Sequence, residues 1–251
     1  MRGFKYVDPI DLGARLHLDE ELYIGAGDLT ELLRDQLTEQ RRAKIEAVLD
    51  ERTLTVIPVM DGIYDRGNTS AVLRSAEGMG YQEAHIIDTQ PDYKTSRRVT
   101  QGADKWVDVH RWRSPKDCVL SLQERGYEVV ATDLDADVDL EAIDFTSPTA
   151  LVFGNERDGV SPEVLETCDR RCIIPIQGFV QSYNISVAAA LSLYEALRQR
   201  RQKLGRQGDL TPEERRLIRA HYYLRSVTRP RRLVPSLWRR FQSERAKTVQ
   251  Q

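Results

Sequence analysis

Residues 53–88 read TLTVIPVMDGIYDRGNTSAVLRSAEGMGYQEAHIID, and this stretch decides the fold. Thr53–Met60 is apolar, rich in β-branched residues and closed by Asp61-Gly62, the pattern of a buried strand. Asn68 stands where a helix cap belongs; Val72, Ala76 and Met79 follow on one helical face, and Gly80 supplies a stop. Ala84–Asp88 is the next short strand. The alternation continues with strands at Trp106–Arg111, Tyr127–Thr132, Thr149–Phe153 and Cys172–Ile176. Helices fall across Pro115–Arg125, from Ser161-Pro162-Glu163 onward, and over Asn184–Gln202. Strands that alternate with helices predict an α/β domain, a mostly parallel six-stranded sheet with helices on both faces.

Working outward, residues 28–50 have helical periodicity, and Thr211-Pro-Glu-Glu opens a helix over 211–226. Pro230 and Pro235 are expected to break the remaining tail. The predicted organisation is an N-terminal extension and helix over 1–50, the α/β domain over 51–203, and a basic helical extension over 204–251.

The net charge of −2 is unevenly spread: residues 1–40 carry −5, residues 41–196 carry −9 and residues 197–251 carry +12. A basic tail on an acidic body points to a polyanionic partner, most simply nucleic acid. In PRRLVPSLWRRFQSERAK only Glu244 is acidic, and Trp238 and Phe241 offer stacking surfaces. An acidic membrane surface would also attract such a tail. No apolar run approaches the roughly 18–20 residues that cross a bilayer, and the N-terminus has no apolar signal segment, so a cytoplasmic location is expected. Cys118, Cys168 and Cys172 do not form a disulfide framework, and the four histidines are too far apart in sequence for a zinc motif.

Familiar nucleotide motifs fail. Gly154–Gly159 has phosphate-loop spacing, but Val160 stands where the lysine belongs. Gly78-Met-Gly80 ends a helix instead of opening one, and no Gly-x-Ser-x-Gly elbow exists. Polar residues nevertheless gather where strands end: Asn68 and Arg74, Asn155 and Glu156, Ser182 and Asn184. Ligands of open α/β sheets bind beyond the carboxyl ends of strands. Each residue also has a plain structural role. Arg74 points off the core stripe and could be an exposed surface arginine; Asn68 and Asn184 could be caps; Glu156 could belong to a surface turn.

Together the segments NTSAVLRSAEGMG (68–80), ALVFGNERDGVS (150–161) and IIPIQGFVQSYNISVAAA (173–190) resemble the three ordered motifs of the SPOUT-class RNA 2′-O-ribose methyltransferases. Within that class they are most similar to the tRNA guanosine-18 branch. The resemblance spans about residues 40–224; residues 1–39 and the final 25 or so fall outside it. It implies a C-terminal deep trefoil knot, a homodimer and S-adenosylmethionine as methyl donor. Carried over residue by residue, it makes Arg74, Asn68, Glu156 and Asn184 the catalytic group. Thr132, Phe153, Gly154, Glu156, Ile174, Ile176, Ser182 and Asn184 become the cofactor site. A guanidinium is a poor base at neutral pH, so Arg74 suits a phosphate clamp better. RNA contacts are expected from Arg41, Arg42, Lys44, Arg198, Arg200, Arg201 and Lys203, and no metal is required. Asp65-Arg66-Gly67 departs from the Lys-Pro-His run of close relatives, in a loop expected to face RNA. Ribosomal RNA as the substrate, or a silent RNA-binding protein on the same fold, are the competing readings.

Overall fold

The computed structural model describes residues 15–19, 22–88, 102 and 105–249. Residues 1–14, the start of the acidic extension, lie outside the described residues. The chain forms two compact units, one from residues 1–50 and 210–251, the other from Glu51–Asp209.

In the first unit, β1 (Arg15–Asp19) pairs antiparallel with β2 (Leu22–Gly25), a hairpin that the sequence reading did not include. The stretch read as one helical segment is two helices, α1 (Ala26–Arg34) and α2 (Glu39–Leu49). They divide because the Thr38 side chain caps α2, accepting from the Arg41 backbone N–H. A helix runs from Pro212 to Ser226 and another from Pro230 to Val249. The first of these begins with a capping box between Thr211 and Glu214. Its Arg215 and Arg219 both reach the Glu46 carboxylate of α2, Arg219 at 2.6 Å, and the Arg219 bond chiefly holds the Glu46 carboxyl below its ordinary range.

The second unit is the predicted α/β domain. Its strands are β3 (Val56–Asp61), β4 (Glu83–Ile87), β5 (Asp108–Trp112), β6 (Glu128–Thr132), β7 (Thr149–Phe153) and β8 (Arg170–Cys172). They form one sheet in the order β5-β4-β3-β7-β6-β8, every pairing parallel. Central β3 and β7 are buried along their whole length, which explains their unbroken apolar runs. One face packs Met60, Leu151 and Phe153 against α3 (Arg66–Gly78) and, in chain order after it, α6 (Ile185–Leu204). The other packs Val59, Val129 and Val152 against α4 (Pro115–Glu124) and α5 (Pro162–Thr167). The two tail helices are thus α7 (Pro212–Ser226) and α8 (Pro230–Val249).

Five expectations are corrected. The final strand is Arg170–Cys172, and beyond it only Ile173 makes a bridge, to Asp139. Strand β5 starts at Asp108 instead of Trp106. Asp65, not Asn68, caps α3, its carboxylate accepting from the Gly67 N–H at 2.7 Å. Pro235 does not break the tail but lies inside α8. Val234 is fully buried there and Leu233, Leu237, Trp238 and Phe241 are half-buried. Tertiary packing of that apolar face outweighs one missing backbone hydrogen bond. Finally, the α/β unit runs to Asp209, because the buried Arg200 of α6 bonds the Gln207 carbonyl and the Asp209 carboxylate.

Candidate active site

Parallel pairing brings every strand's carboxyl end to one edge of the sheet. There, the segments after β6, β7 and β8 enclose a cavity of about 400 Å³. Asp133–Asp135 supply one wall, Gly154–Val160 a second, and Ile173, Ile174, Ile176 and Gln181–Tyr183 a third, with Ile185 and Ala188 of α6 behind.

The loop after β7 is a tight return. Asn155 and Gly159 exchange backbone hydrogen bonds of 2.9 and 3.1 Å, and the Asn155 side-chain oxygen accepts from Arg157 and Asp158 N–H. Gly159 takes φ +72°, which favours glycine. Gly154 passes so close to this return that a Cβ on it would lie 2.0 Å from the Gly159 carbonyl carbon. Beneath the loop, buried Asp61 at the end of β3 accepts the Ser161 N–H at 2.7 Å. Burial pushes its carboxyl above the ordinary range, against the lowering pull of the Ser161 bonds.

On the Glu156 wall three of the expected catalytic residues converge. The Asn68 amide donates to Glu156 Oε1, and the Asn184 amide reaches Asn68 Oδ1 at 3.4 Å. Asn184 also caps α6, its Oδ1 accepting the Ser186 N–H at 2.9 Å, so the cap fixes where its amide points. The chain brings these side chains together across 116 residues because β3–α3, the β7 loop and the α6 start meet at one edge. Arg74 is not part of that contact. It is exposed on α3 and makes no hydrogen bond or ion pair with a described residue. A purely local calculation agrees: six residues of helix turn Arg74 well away from Asn68.

Of the expected cofactor residues, Thr132, Gly154, Glu156, Ile174, Ile176 and Ser182 line the cavity. Phe153 and Asn184 do not: the Phe153 side chain is wholly buried in the core between sheet, α3 and α6, and Asn184 caps α6 beside the cavity. Sequence reasoning missed Asp133, Asp135, Gln181 and Tyr183, which line the cavity beside them. Their signal was position, since each follows a strand end or sits in the last motif.

The expected RNA-binding set divides. Arg41 and Lys44 are exposed on α2, and Arg42 donates to the Arg34 carbonyl. Arg198 pairs with Glu195 at 2.7 Å, Arg201 with Glu51 at 3.2 Å and Lys203 with Asp144 at 3.0 Å, all near the surface. Arg200 must be withdrawn: it is 0% exposed, and donates to the Phe145 and Gln207 carbonyls and to Asp209.

The histidines, far apart in sequence, also need a correction. The β4–β5 register places His85 opposite His110, and their donor atoms lie with Glu83 within 4.8 Å of one another. The cluster is already committed. Arg125 holds both Glu83 oxygens at 2.6 and 2.9 Å, and Trp112 donates to His85 Nδ1, leaving the Nε2 proton for Glu83. A guanidinium on the carboxylate and a proton on Nε2 both oppose a cation there.

The family profile of the SpoU rRNA methylases matches residues 55–194, more than half of the chain. The chain belongs to the SpoU methylase family. It is 40% identical over 164 residues to the tRNA (guanosine(18)-2′-O)-methyltransferase of Thermus thermophilus, covering 65% of this chain and 84% of that one. The TrmH/SpoU tRNA modifying enzyme of A. aeolicus superposes with a TM-score of 0.70 at 34% identity, over 76% of this chain and 98% of that one. The SpoU methyltransferase AviRb from Streptomyces viridochromogenes, solved with AdoMet, gives 0.52 at 28% identity, over 60% and 58%.

A SpoU methylase needs a methyl donor, and the cavity suits S-adenosylmethionine. Ile173, Ile174, Ile176 and Val160 offer an apolar wall for a planar base. Asp133, Asp135 and Glu156 offer carboxylates to hydroxyls and to positive charge. Because Gly154 has no Cβ, the Gly159–Val160 backbone packs directly on it, which fixes the shape of this cavity wall.

Proposed function

We propose that this chain is an S-adenosylmethionine-dependent tRNA 2′-O-methyltransferase that modifies guanosine 18, acting in the cytoplasm as a homodimer. On this reading residues 51–209 are the methyltransferase domain, residues 1–50 and 210–251 are extensions to it, and the segments around the cavity form a deep trefoil knot. The observation that carries the reading is the hydrogen-bonded chain from Asn184 through Asn68 to Glu156, which lines the cavity. Ordinary packing does not require three exposed or half-buried polar side chains to converge there.

The bound cofactor supplies an electrophilic methyl group on a sulfonium. The reaction forms a bond from the ribose 2′-oxygen to that carbon as the carbon–sulfur bond breaks, and the hydroxyl proton passes to a phosphate oxygen or water. The protein's task is alignment, worth several kcal/mol when reacting atoms are held near contact. Thr132, Gly154, Glu156, Ile174, Ile176, Ser182 and Asn184 hold the donor side, with the Phe153 backbone behind them. Asn68 and Asn184 fix Glu156 by hydrogen bonds. Arg74, permanently cationic, grips the phosphate next to the reacting ribose through its planar fork. Its exposed position on α3 suits contact with a second molecule better than support of its own chain.

The homodimer reading rests on α6. Val187, Leu191 and Tyr194 are 46%, 43% and 59% exposed at spacings of four and three residues, an apolar stripe on the helix that opens at Asn184. Another copy of the same stripe is its simplest cover. Arg41, Arg42, Lys44, Arg198, Arg201 and Lys203 remain the proposed RNA contacts of the scaffold, and for the paired ones a phosphate must displace a carboxylate.

Transfer of labelled methyl to unmodified total tRNA and, separately, to ribosomal RNA tests the proposal, with nucleoside mass spectrometry. The expected product is 2′-O-methylguanosine in the tRNA D-loop, lost in Arg74→Ala. Label in ribosomal RNA alone would move the substrate. Label in neither, with RNA still bound, would leave a binding protein.

A further inference from the structure

The sequence places +12 on the last 55 residues, but the structure shows much of that charge neutralised inside the chain. Arg215 and Arg219 share Glu46, Arg198 holds Glu195, Arg200 holds Asp209 and Arg201 holds Glu51. Helix α8 is different. Arg232, Arg239 and Arg240 are exposed, and none makes an ion pair with a described residue. The first turn of α8 carries no acidic side chain to compensate them.

The distribution around α8 is two-sided. At 100° per residue, Arg232, Ser236, Arg239 and Ser243 fall on one stripe with Arg240 on its flank, and all five are exposed. The half-buried Leu237 and Phe241 and the fully buried Val234 face the opposite way, with half-buried Leu233 at the border beside Arg240. Just before the helix, Arg229 is exposed with φ +52°, the one non-glycine residue with positive φ among those described. A glycine would hold that backbone more cheaply. Its exposed side chain adds a further cation at the start of the α8 face.

We propose that the exposed face of α8, led by Arg229, Arg232, Arg239 and Arg240, is a docking surface for the sugar–phosphate backbone of RNA. Ser236 and Ser243 lie on the same stripe, but their hydroxyls donate to the Leu233 and Arg239 carbonyls, each at 2.8 Å, so the guanidiniums carry the contact. The face holds no carboxylate among its described side chains, so it reads charge and shape rather than sequence. It lies beyond the matched family region, which ends at residue 194. On this proposal it adds affinity for RNA and leaves the cavity residues untouched. The inference rests on the reading of this chain as a tRNA methylase for its partner class.

The test compares wild type with the triple variant Arg232→Gln, Arg239→Gln, Arg240→Gln in the full chain. Fluorescence anisotropy follows tRNA binding across a salt series. Three lost phosphate contacts should flatten the slope of log K against log salt by about 2–3. Between about 50 and 200 mM salt the wild type should then lose roughly 20- to 40-fold more affinity than the variant. KM for tRNA should rise while kcat, S-adenosylmethionine affinity and the melting midpoint stay unchanged. A second variant, Arg229→Gly, should melt at or above the wild-type temperature yet bind tRNA more weakly. Superimposable salt slopes for wild type and triple variant would overturn the proposal. So would wild-type binding to phosphatidylserine vesicles that the triple variant loses while its tRNA slope is intact, because the surface would then face lipid. Wild type that binds tRNA with a steep slope, flattened in the variant, but transfers no methyl would refute the methylase reading and leave this surface standing.

Discussion

Replacing Arg200 with alanine separates charge that serves the fold from charge that serves RNA. The side chain is wholly buried and donates to the Phe145 carbonyl at 3.0 Å, the Gln207 carbonyl at 3.1 Å and Asp209 Oδ2 at 2.5 Å. Truncation strands two buried carbonyls, each worth about 1 kcal/mol or more, and breaks a buried ion pair, a loss of roughly 3–5 kcal/mol. The second figure belongs at its lower end. Asp209 is 23% exposed and keeps the Thr55 hydroxyl at 2.5 Å, so water and one donor can recover part of the charge. The expected loss is about 4–5 kcal/mol, from about a third to nearly all of the margin of a domain stable by about 5–15 kcal/mol. At roughly 2–4 °C per kcal/mol for a chain of this size, the midpoint should fall by about 10–20 °C.

The comparison variant is Arg198→Ala, two residues earlier on the same helix. Its own side chain is 47% exposed, and Glu195, though half-buried, keeps the Gln199 amide; such a solvent-reached pair is worth about 0–1 kcal/mol, so its midpoint should barely move. Thermal and urea unfolding of both variants, with tRNA binding measured well below the lower midpoint, completes the experiment. If Arg200→Ala melts with the wild type and fails only to bind tRNA, the burial argument is wrong. The residue would then return to the RNA-binding set from which its position removed it.

Three further outcomes are expected. Gly154→Ala drives a methyl to within 2.0–2.2 Å of backbone atoms of Gly159 and Val160, so the return must open; overpacking costs about 1–3 kcal/mol, and calorimetry should show S-adenosylmethionine affinity reduced at least about tenfold, a retained affinity refuting the close-packed loop. Asn184→Ala removes both a helix cap, about 0.5–2 kcal/mol, and the amide that reaches Asn68; kcat should fall far more than the modest drop in midpoint, whereas Asn184→Asp should restore the cap and not the turnover. Burial alone would raise the Glu83 carboxyl, but the bonds from His85 and Arg125 outweigh it and hold the folded value at about 2, against 4.5 when free. Its contribution, about 3 kcal/mol, is complete above pH 4.5 and is lost as the pH falls toward 2, so the acid limb of a stability-versus-pH curve should flatten over that window in Glu83→Gln.

How much of this was legible depends on what periodicity encodes. β3 and β7 announce themselves because both faces of the central strands are buried, which forces unbroken apolar runs. β8, an edge strand of three residues reading Arg-Arg-Cys, carries no such pattern, and the apolar Ile173–Ile176 beside it drew the strand assignment. Those isoleucines are apolar for another reason: Ile173, Ile174 and Ile176 line the cavity. A ligand-facing wall and a buried strand look alike in one dimension. The hairpin β1–β2 was silent for a different reason: Arg15–Asp19 does alternate polar and apolar residues, but over only five positions, and the four-residue partner Leu22–Gly25 does not continue the pattern. At Pro235 a sound local rule lost to tertiary burial of Val234.

The site was legible as residue identities but not as an arrangement. Motif resemblance supplied Asn68, Glu156 and Asn184, and the fold supplied the reason they matter together: two strand ends and a helix start meet at one sheet edge. Charge behaved in the opposite way. Counting found the basic tail, yet counting cannot tell a cation that is spent from one that is available. Arg200 and Arg232 contribute equally to the +12 of the last 55 residues. One is sealed at 0% exposure against a carboxylate and two carbonyls; the other stands exposed without an ion pair to any described residue. Only the second can release bound counterions when it meets a phosphate, and counterion release is the term that sets affinity for nucleic acid. The available charge of this chain is therefore smaller than its formal charge and differently placed, and the salt dependence of tRNA binding should follow the available charge.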